Sequence, residues 1–494
     1  MPPTGVQRGN VVTQKGDQLT PGYPATAHAY RMPEDKLKKY LPKIPCQPIG
    51  YGDAAQLLRK LGGNDAPEAW QGGLQDILPY KLGPGFRAEH ADKKVKLEVN
   101  NKLERVPIRN VIGMIVGEIE PDRYVLLGNH RDAWVFGSID PSSGTAVMLE
   151  LTRVLGDLHK KGWRPRRTMV FCSWAAEEPG LVGSHEWVEE NVKTLLQNAV
   201  AYLNVDSSLS GNYTFAGRAS PLLRNALISA TKKVPDPDGR KSSLYEVWKE
   251  RQPSASGDEP SIAVLGSGSD FAPFIQEVGV PATDMRYRYT PLEGLAGYPL
   301  YHTLYETVSL TDMIDPTYMK AKTVGQVWGE LGLNVAESLI VPLDANEYAR
   351  ALATYISDMK LKYGTQLAAL SIQFGSIESA VTNFTLAAKR FHEHVDSIDK
   401  SNPMLVRMAN DKLVHLERAF TDPAGLPFRP LYRHMIFAPG ARDTYAGSVF
   451  SGMADLMFDI DNAPDKEERW EQVKQHFAVI VFTIQSAADY LKAT

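Results

Sequence analysis

A set of side chains able to hold metal or move protons falls at the ends of successive apolar segments. His130 follows the run Tyr124–Leu127, with Asp132 two positions on and Asp140 in the turn Asp140-Pro-Ser-Ser-Gly144. Glu177 and Glu178 follow the run Thr168–Trp174, Asp206 closes Ala201–Asp206, and His302 ends Gly297-Tyr-Pro-Leu-Tyr-His302 beside Tyr301. Imidazoles with carboxylates form a donor set best suited to zinc. Adjacent carboxylates point in different directions, so one of the Glu177–Glu178 pair can bind metal while the other faces a water as general base. Two His, three carboxylates and a spare Glu match two zinc ions that share one carboxylate, a pair that activates water and clamps a tetrahedral intermediate. Each residue also has an ordinary reading. His130-x-Asp132 is a surface pair, the Glu pair opens a helix where negative charge is favoured, and Asp206 is a cap. His302 is a hydrogen-bonded structural histidine and Tyr301 is packing. Their coincidence at successive strand ends favours the metal site.

The elements around them alternate. From about Arg105, strands are expected at Asn110–Val116, Tyr124–Leu127, Arg167–Trp174 and Ala199–Val205, with helices at Thr145–Leu158, Leu181–Leu196 and Pro221–Lys233. That order implies a largely parallel α/β sheet, and open sheets of this kind place their sites at the carboxyl edge. His130 is expected on the loop just past its strand. Residues 1–104 are rich in Pro, Gly and turn signals; a helix is plausible at Ala54–Leu61 and a strand at Lys94–Val99, without a complete core. Beyond about Val341 the pattern is helical. Tyr348, Leu352, Tyr355 and Met359 recur at three- and four-residue spacing, as do Val473, Phe477, Ile480, Ile484 and Ala487. The chain divides into 1–104, 105–340 and 341–494.

Composition narrows the function classes. The 494 residues exceed one ordinary core. With 54 Lys+Arg against 58 Asp+Glu the formal charge is −4, which is no footprint for nucleic acid. Cys46 and Cys172, the only cysteines, build neither a disulfide framework nor a CxxC zinc motif. No apolar run reaches the roughly 18 residues of a membrane span, and the first residues lack a signal-peptide core. Two glycosylation sequons, Asn212-Tyr-Thr and Asn383-Phe-Thr, matter only for a secreted chain.

His130, Asp140, Glu177-Glu178, Asp206 and His302 resemble the signature of di-zinc exopeptidases of the aminopeptidase type. Nearly the whole chain resembles the glutamate carboxypeptidase II family of N-acetylated-alpha-linked acidic dipeptidases. The similarity runs from Gly5-Val-Gln-Arg-Gly-Asn10 through Leu19-Thr-Pro-Gly-Tyr-Pro24 and Trp163-Arg-Pro-Arg-Arg167 to Tyr432-Arg-His and Tyr445-Ala-Gly447. The resemblance implies that Asp140 bridges two zinc ions, with His130 and Asp206 completing one and Glu178 and His302 the other. Glu177 is then the general base acting on a hydroxide shared by the metals, and Tyr301 polarises the carbonyl. Asp132 orients His130. A structural calcium site falls on Thr20, Tyr23, Glu186 and Glu189, and the substrate pocket on Asn10, Ser267, Gly268, Arg286, Tyr301 and Tyr445. The implied protein is a homodimer through its C-terminal helices, acting on small peptides at the extracellular face of the plasma membrane.

Departures from that pattern concern specificity. Thr444 precedes Tyr445 where the family has a lysine for the departing glutamate; Ala216 and Asp284 stand for two arginines, and Ser269 for an asparagine. The inverted charge at Asp284 disfavours an acidic side chain there. The chain also starts late against the family, so membrane attachment is expected only through a segment not present here, and residues 1–104 correspond to the second half of an apical protease-associated domain. Two competing readings remain. One is a broad-specificity aminopeptidase or dipeptidyl-peptidase. The other is a non-catalytic homologue like the transferrin receptor, which retention of every metal ligand argues against.

Overall fold

The computed structural model describes residues 1–11, 15–38, 40–289 and 297–492. Eight strands form its main sheet: β1 (Val111–Ile115), β2 (Glu120–His130), β3 (Arg167–Trp174), β4 (Ala199–Asn204), β5 (Leu209–Ser210), β6 (Thr214–Ala219), β7 (Ile262–Ala263) and β8 (Ala282–Arg288). Their order is β1-β3-β2-β4-β8-β6-β7, with β5 beside β8. The β2–β3, β2–β4, β4–β8, β5–β8 and β6–β7 pairs are parallel, whereas β1–β3 and β6–β8 are antiparallel. The fold is mixed α/β with a mostly parallel sheet, as the alternation of strands and helices implied.

The central strands carry continuous buried apolar stretches, Val125–Leu127 in β2 and Ala199–Leu203 in β4, because helices cover both faces. The helices Ser142–Lys160, Arg224–Lys233 and Met319–Glu337 pack together on one side, and Val182–Asn198 and Pro403–Leu416 reach the sheet as well. Trp328, wholly buried, donates its indole N–H to the Leu203 carbonyl at 3.1 Å, tying the helix Met319–Glu337 to β4. β2 runs further than its apolar stretch. It stays paired with β3 through His130, opposite Trp174, so this histidine is the last residue of the strand and not a loop residue. Gly128 allows that extension, since a Cβ there would run into the Tyr202 hydroxyl.

Residues 1–104 have little regular structure. The expected helix lies at Tyr51–Leu58, but the expected strand at Lys94–Val99 is absent. Val95 and Leu97 alternate correctly yet stand exposed with no strand paired to them, and an isolated apolar alternation does not hold a strand. Residues 1–11 and 15–25 instead run over the carboxyl edge of the main sheet. Arg8 N donates to the His302 carbonyl at 3.0 Å and Gly16 N to the Gly180 carbonyl at 2.9 Å.

Beyond residue 341 the long helices are Ala345–Ala369, Gly375–Ser397, Pro403–Leu416 and Lys466–Lys492. Val473, Phe477, Ile480, Ile484 and Ala487 are buried along the last of these, so the β-branched run Phe477–Phe482 is helical as its longer periodicity indicated. The helices are keyed to the sheet by a fully buried carboxylate, Glu417. It accepts the Tyr348 hydroxyl at 2.9 Å, faces His434 Nε2 at 2.9 Å and accepts the Ser220 hydroxyl. No helix among the described residues is long and apolar enough to cross a membrane.

His476, in the last helix, is buried with an unpartnered Nε2, and burial lowers its pKa to about 4. Its folded pKa lies below the unfolded value of 6.5. The stability it confers is therefore complete above pH 6.5 and is lost as the pH falls towards 4. Denaturant unfolding should show stability falling by about 3 kcal/mol over this range, and His476→Gln should flatten that slope.

Candidate metal centre

The carboxyl edge of the sheet collects the residues singled out from the sequence. His130 ends β2, Asp206 follows β4, the loop after β3 carries Glu177 and Glu178, and Asp140 precedes the helix Ser142–Lys160. One ligand atom each from His130, Asp140 and Asp206 lies within 4.8 Å of the other two, and the same holds for Asp140, Glu178 and His302. Asp140 belongs to both trios. These trios are the only such clusters among the described residues.

The histidine orientations decide what the clusters can hold. His130 Nδ1 sits 2.9 Å from the Asp132 carbonyl and His302 Nδ1 3.0 Å from the Arg8 carbonyl. A backbone carbonyl only accepts, so both Nδ1 atoms carry hydrogen and both Nε2 lone pairs point into the site. His130 Nε2 faces Asp140 Oδ1 and Asp206 Oδ1, each at 3.2 Å. His302 Nε2 faces Asp140 Oδ2 at 3.2 Å and Glu178 Oε2 at 3.1 Å. Lone pairs directed at carboxylate oxygens repel unless a second proton or a cation lies between them. Asp140 Oδ1 and Glu178 Oε1 are moreover buried with no hydrogen-bond donor. The donor set and its unmet acceptors fit divalent zinc.

Proton affinities carry the same stress. Burial, reinforced by the neighbouring Asp140 charge, pushes Glu178 up to about 9. Burial also holds Glu177 well above the usual carboxylate range. For Asp140, burial is outweighed by the two histidines, which keep its carboxyl well below that range. Burial opposes protonation of His130, yet the negative charges of Asp206 and Glu177 prevail and hold its pKa well above normal. Positive charge is what the cluster lacks.

The backbone beneath the ligands is fixed by partners the sequence did not advertise. Glu306 Oε1 accepts the Asp140 amide at 2.7 Å and the Ile139 amide at 3.2 Å, while Oε2 accepts the His302 amide at 3.0 Å. One side chain thus sets the aspartate shared by both trios and a histidine together. His302 needs the restraint, because its φ of 58° is left-handed, a conformation costing about 1–3 kcal/mol. The only sequence signal for Glu306 is its position four residues after His302. Ala176, at φ 55°, redirects the chain ahead of Glu177. The Asp132 carboxylate, expected to orient His130, lies 3.7 Å from its Nδ1. It also accepts the Glu177 and Glu178 amides at 3.0 and 3.2 Å, and Asp132 reaches His130 through its carbonyl as well. Both jobs follow from its place in a turn between two strand ends.

A cavity of about 450 Å³ opens above the trios, with Asn10, Lys15, Glu177, Gly268, Tyr301 and Tyr445 among its walls. Tyr301 stacks on His302 at 3.6 Å between centroids, and burial keeps its hydroxyl protonated far beyond the normal range. Asn10 donates its amide to the Glu178 carbonyl at 2.5 Å. Two residues expected in the pocket are not among its walls. Ser267 stands behind, its hydroxyl donating to the Thr444 carbonyl at 2.7 Å. Arg286 lies on β8, paired in register with Ala216 of β6. A larger apolar groove of about 1070 Å³ follows the helices Ser142–Lys160 and Met319–Glu337 and contains neither trio.

Comparison with known proteins agrees with this edge. Residues 110–323 match peptidase family M28, and residues 372–492 match the transferrin receptor-like dimerisation domain. The chain is 40% identical to aminopeptidase NAALADL1 of Mus musculus over 99% of its own length and 67% of that protein. The chain belongs to peptidase family M28. It is a hydrolase of the metallo-exopeptidase type. Other relatives of this M28 peptidase include a glutamate carboxypeptidase 2 homolog of Caenorhabditis elegans, 35% identical over 100% of the chain and 66% of that protein. A probable glutamate carboxypeptidase LAMP1 of Arabidopsis thaliana is 37% identical over 100% of the chain and 68% of that protein. The chain therefore spans about two thirds of the length of these relatives. Among solved structures, BSAP, a zinc aminopeptidase from Bacillus subtilis, is 20% identical with a TM-score of 0.35, over 46% of this chain and 50% of that one.

Replacing Glu306 with Ala leaves the Asp140 and His302 amides without their acceptor. Zinc affinity measured by competition with a chelator should fall about 10–100-fold, the usual effect of losing a group that orients metal ligands.

Proposed function

We propose that this chain is a zinc-dependent exopeptidase that hydrolyses a peptide bond in small peptides. The observation that carries the proposal is the pair of trios sharing Asp140, each with a histidine lone pair turned against carboxylates. In this reading Asp140, which belongs to both trios, would help hold two zinc ions, with His130 and Asp206 available to one and Glu178 and His302 to the other. Zinc bound there supplies Lewis acidity, lowering the pKa of a water and polarising the scissile carbonyl.

The remaining work falls to this chain's own side chains. Glu177 takes a proton from the attacking water and delivers it to the leaving nitrogen as the C–N bond breaks. Its position beside, and not within, the trios leaves its carboxylate free for that transfer. The Tyr301 hydroxyl donates to the carbonyl oxygen as negative charge develops on it. Asp132 holds the Glu177 backbone so that the carboxylate keeps its aim. Asn10, Gly268 and Tyr445 line the space for the rest of the peptide.

A second cation site, for calcium, is part of the proposal. Glu186 accepts the Asp17 and Ala25 amides at 2.7 and 2.6 Å, while Glu189 Oε2 and Thr20 Oγ1 are buried without partners. Burial pushes Glu186 up to about 7 and, aided by the charge of Glu186, Glu189 up to about 9. Thr20 and Tyr23 form the turn beside them, with the Tyr23 amide on the Thr20 carbonyl at 2.9 Å. Oxygen donors of this kind suit calcium. It would fasten the amino-terminal segment to the helix Val182–Asn198.

The division into a partial apical region (1–104), a peptidase unit (105–340) and a helical unit (341–494) belongs to the same reading. The two family matches fall inside the second and third units, and the helical unit is the face through which two copies would pair.

The decisive variant is Glu177→Gln. It should retain its zinc while kcat on an aminoacyl or acyl-dipeptide chromogenic substrate drops about 10²–10⁴-fold, the usual range for a lost general base. Zinc retained with kcat unchanged would remove Glu177 from the mechanism. For the calcium site, the sign follows from the raised carboxyl pKa values. An empty site loses stability as pH rises from 4.5 towards 9, because the folded state holds protons that the unfolded chain has released. Calcium relieves that penalty, so the rise in thermal midpoint with added calcium should be larger at pH 8 than at pH 5.

A further inference from the structure

The groove along the helices Ser142–Lys160 and Met319–Glu337 takes no part in the metal chemistry. The two helices meet at glycines, where a Cβ added to Gly325 or Gly329 would press on Val147 or Leu151. Beside that seam Ala146, Leu155, Ala321 and Leu333 help enclose about 1070 Å³ of largely apolar space. Phe136, Val154, Leu158 and Val308 line the same space and are exposed. Apolar surface gathered into one concavity on this scale is the usual form of a small-molecule site.

Dimensions limit the occupant. The walls extend from Ser142 to Leu158 along the first helix, about 24 Å at 1.5 Å per residue. The mean cross-section is therefore about 45 Å², against roughly 80 Å² for an α-helix about 10 Å across. A helix would stand largely outside such a trough, whereas a single alkyl chain lies within it.

Charge limits the head group. Gly325 faces Val147 and Gly329 faces Leu151, so the two helices run parallel and Lys322 stands about level with Ser143. That end also carries Ser138, Ser142, Thr307 and Thr311, while Leu155, Leu158 and Leu333 lie at the other. The charged walls are Glu150, Lys233, Lys322 and Glu330. Glu330 pairs with Lys233, and Glu150 with Arg153 at 2.6 Å. Lys322 is exposed and makes no ion pair among the described residues. One end is thus rich in hydroxyls with a single surplus positive charge, and the rest is apolar. That is the complement of an amphiphile with one alkyl chain and one negative head.

We propose that this groove binds one long-chain fatty acid, its alkyl chain along the glycine seam and its carboxylate at the Lys322 ammonium. The site is separate from the metal centre and does not depend on the peptidase reading.

The test uses the full chain as wild type, Lys322→Met and Ala146→Trp, the last placing an indole in the groove from an exposed position. Binding of dodecanoate, tetradecanoate, hexadecanoate and hexadecan-1-ol, each below its aggregation threshold, is followed by titration calorimetry. Wild type should take up one acid per chain, with affinity rising by up to about fourfold for each added methylene. Lys322→Met should bind hexadecanoate about fivefold more weakly, a gap that closes at high salt, and bind the alcohol unchanged. Ala146→Trp should bind neither. Because Lys322 is exposed, its variant keeps the test intact should Ala146→Trp fail to fold. No saturable binding by wild type, affinity independent of chain length, or equal loss of acid and alcohol in Lys322→Met would overturn the proposal. Sedimentation velocity without added acid covers the remaining occupant. A wild-type dimer that Ala146→Trp dissociates would give the groove to a second copy of the chain and would also overturn it.

Discussion

Everything at the carboxyl edge depends on one electrostatic conflict. Two imidazole lone pairs are aimed at carboxylate oxygens, and backbone carbonyls on the opposite ring nitrogens prevent either ring from escaping by exchanging its proton. Buried acceptors facing acceptors cost free energy in proportion to their isolation from water. The fold maintains this arrangement because its ligands stand on elements fixed for other reasons. β2 and β4 are central strands covered on both faces, and the helix Met319–Glu337 is tied to β4 by Trp328. A cation converts the conflict into coordination.

The second requirement is rigidity of segments that lack regular structure. His302 and Ala176 adopt left-handed backbone conformations next to the ligands. The groups that hold them come from elsewhere in the chain: Glu306 from below, Asp132 from the neighbouring strand end, and Arg8 from the amino-terminal segment. Residues 1–11 and 15–25 thus complete the site from the outside. Their own short supply of buried apolar residues explains why they rest on the sheet edge and on Glu186, and form no core alone.

Much of this was legible in the sequence. Strand and helix alternation located the sheet, and the chemistry-bearing residues at strand ends located its edge, because parallel strands bury continuous apolar runs and leave only their ends polar. The helical periodicity at Val473, Phe477 and Ile480 holds in the last helix although the run Phe477–Phe482 is rich in β-branched residues. What escaped was long-range. Glu306 carries no local pattern, since its role depends on approach between segments far apart in sequence. Lys94–Val99 misled because alternation specifies a face without supplying a partner strand. Asp132 sits where expected but grips the Glu177–Glu178 amides with its carboxylate, a hydrogen-bond choice that spacing does not encode. Arg286, assigned to the pocket by resemblance, lies on β8 in register with Ala216 and is not among the walls of the cavity above the trios.

The most direct measurement is the zinc content of the purified chain, by plasma mass spectrometry after dialysis against metal-free buffer, for wild type and for Asp140→Ala. Two zinc ions per wild-type chain, with loss of both or near-complete loss in the variant, is the result expected of a shared bridging carboxylate. Wild type that binds no zinc, or a variant that still holds two, would contradict the di-zinc centre.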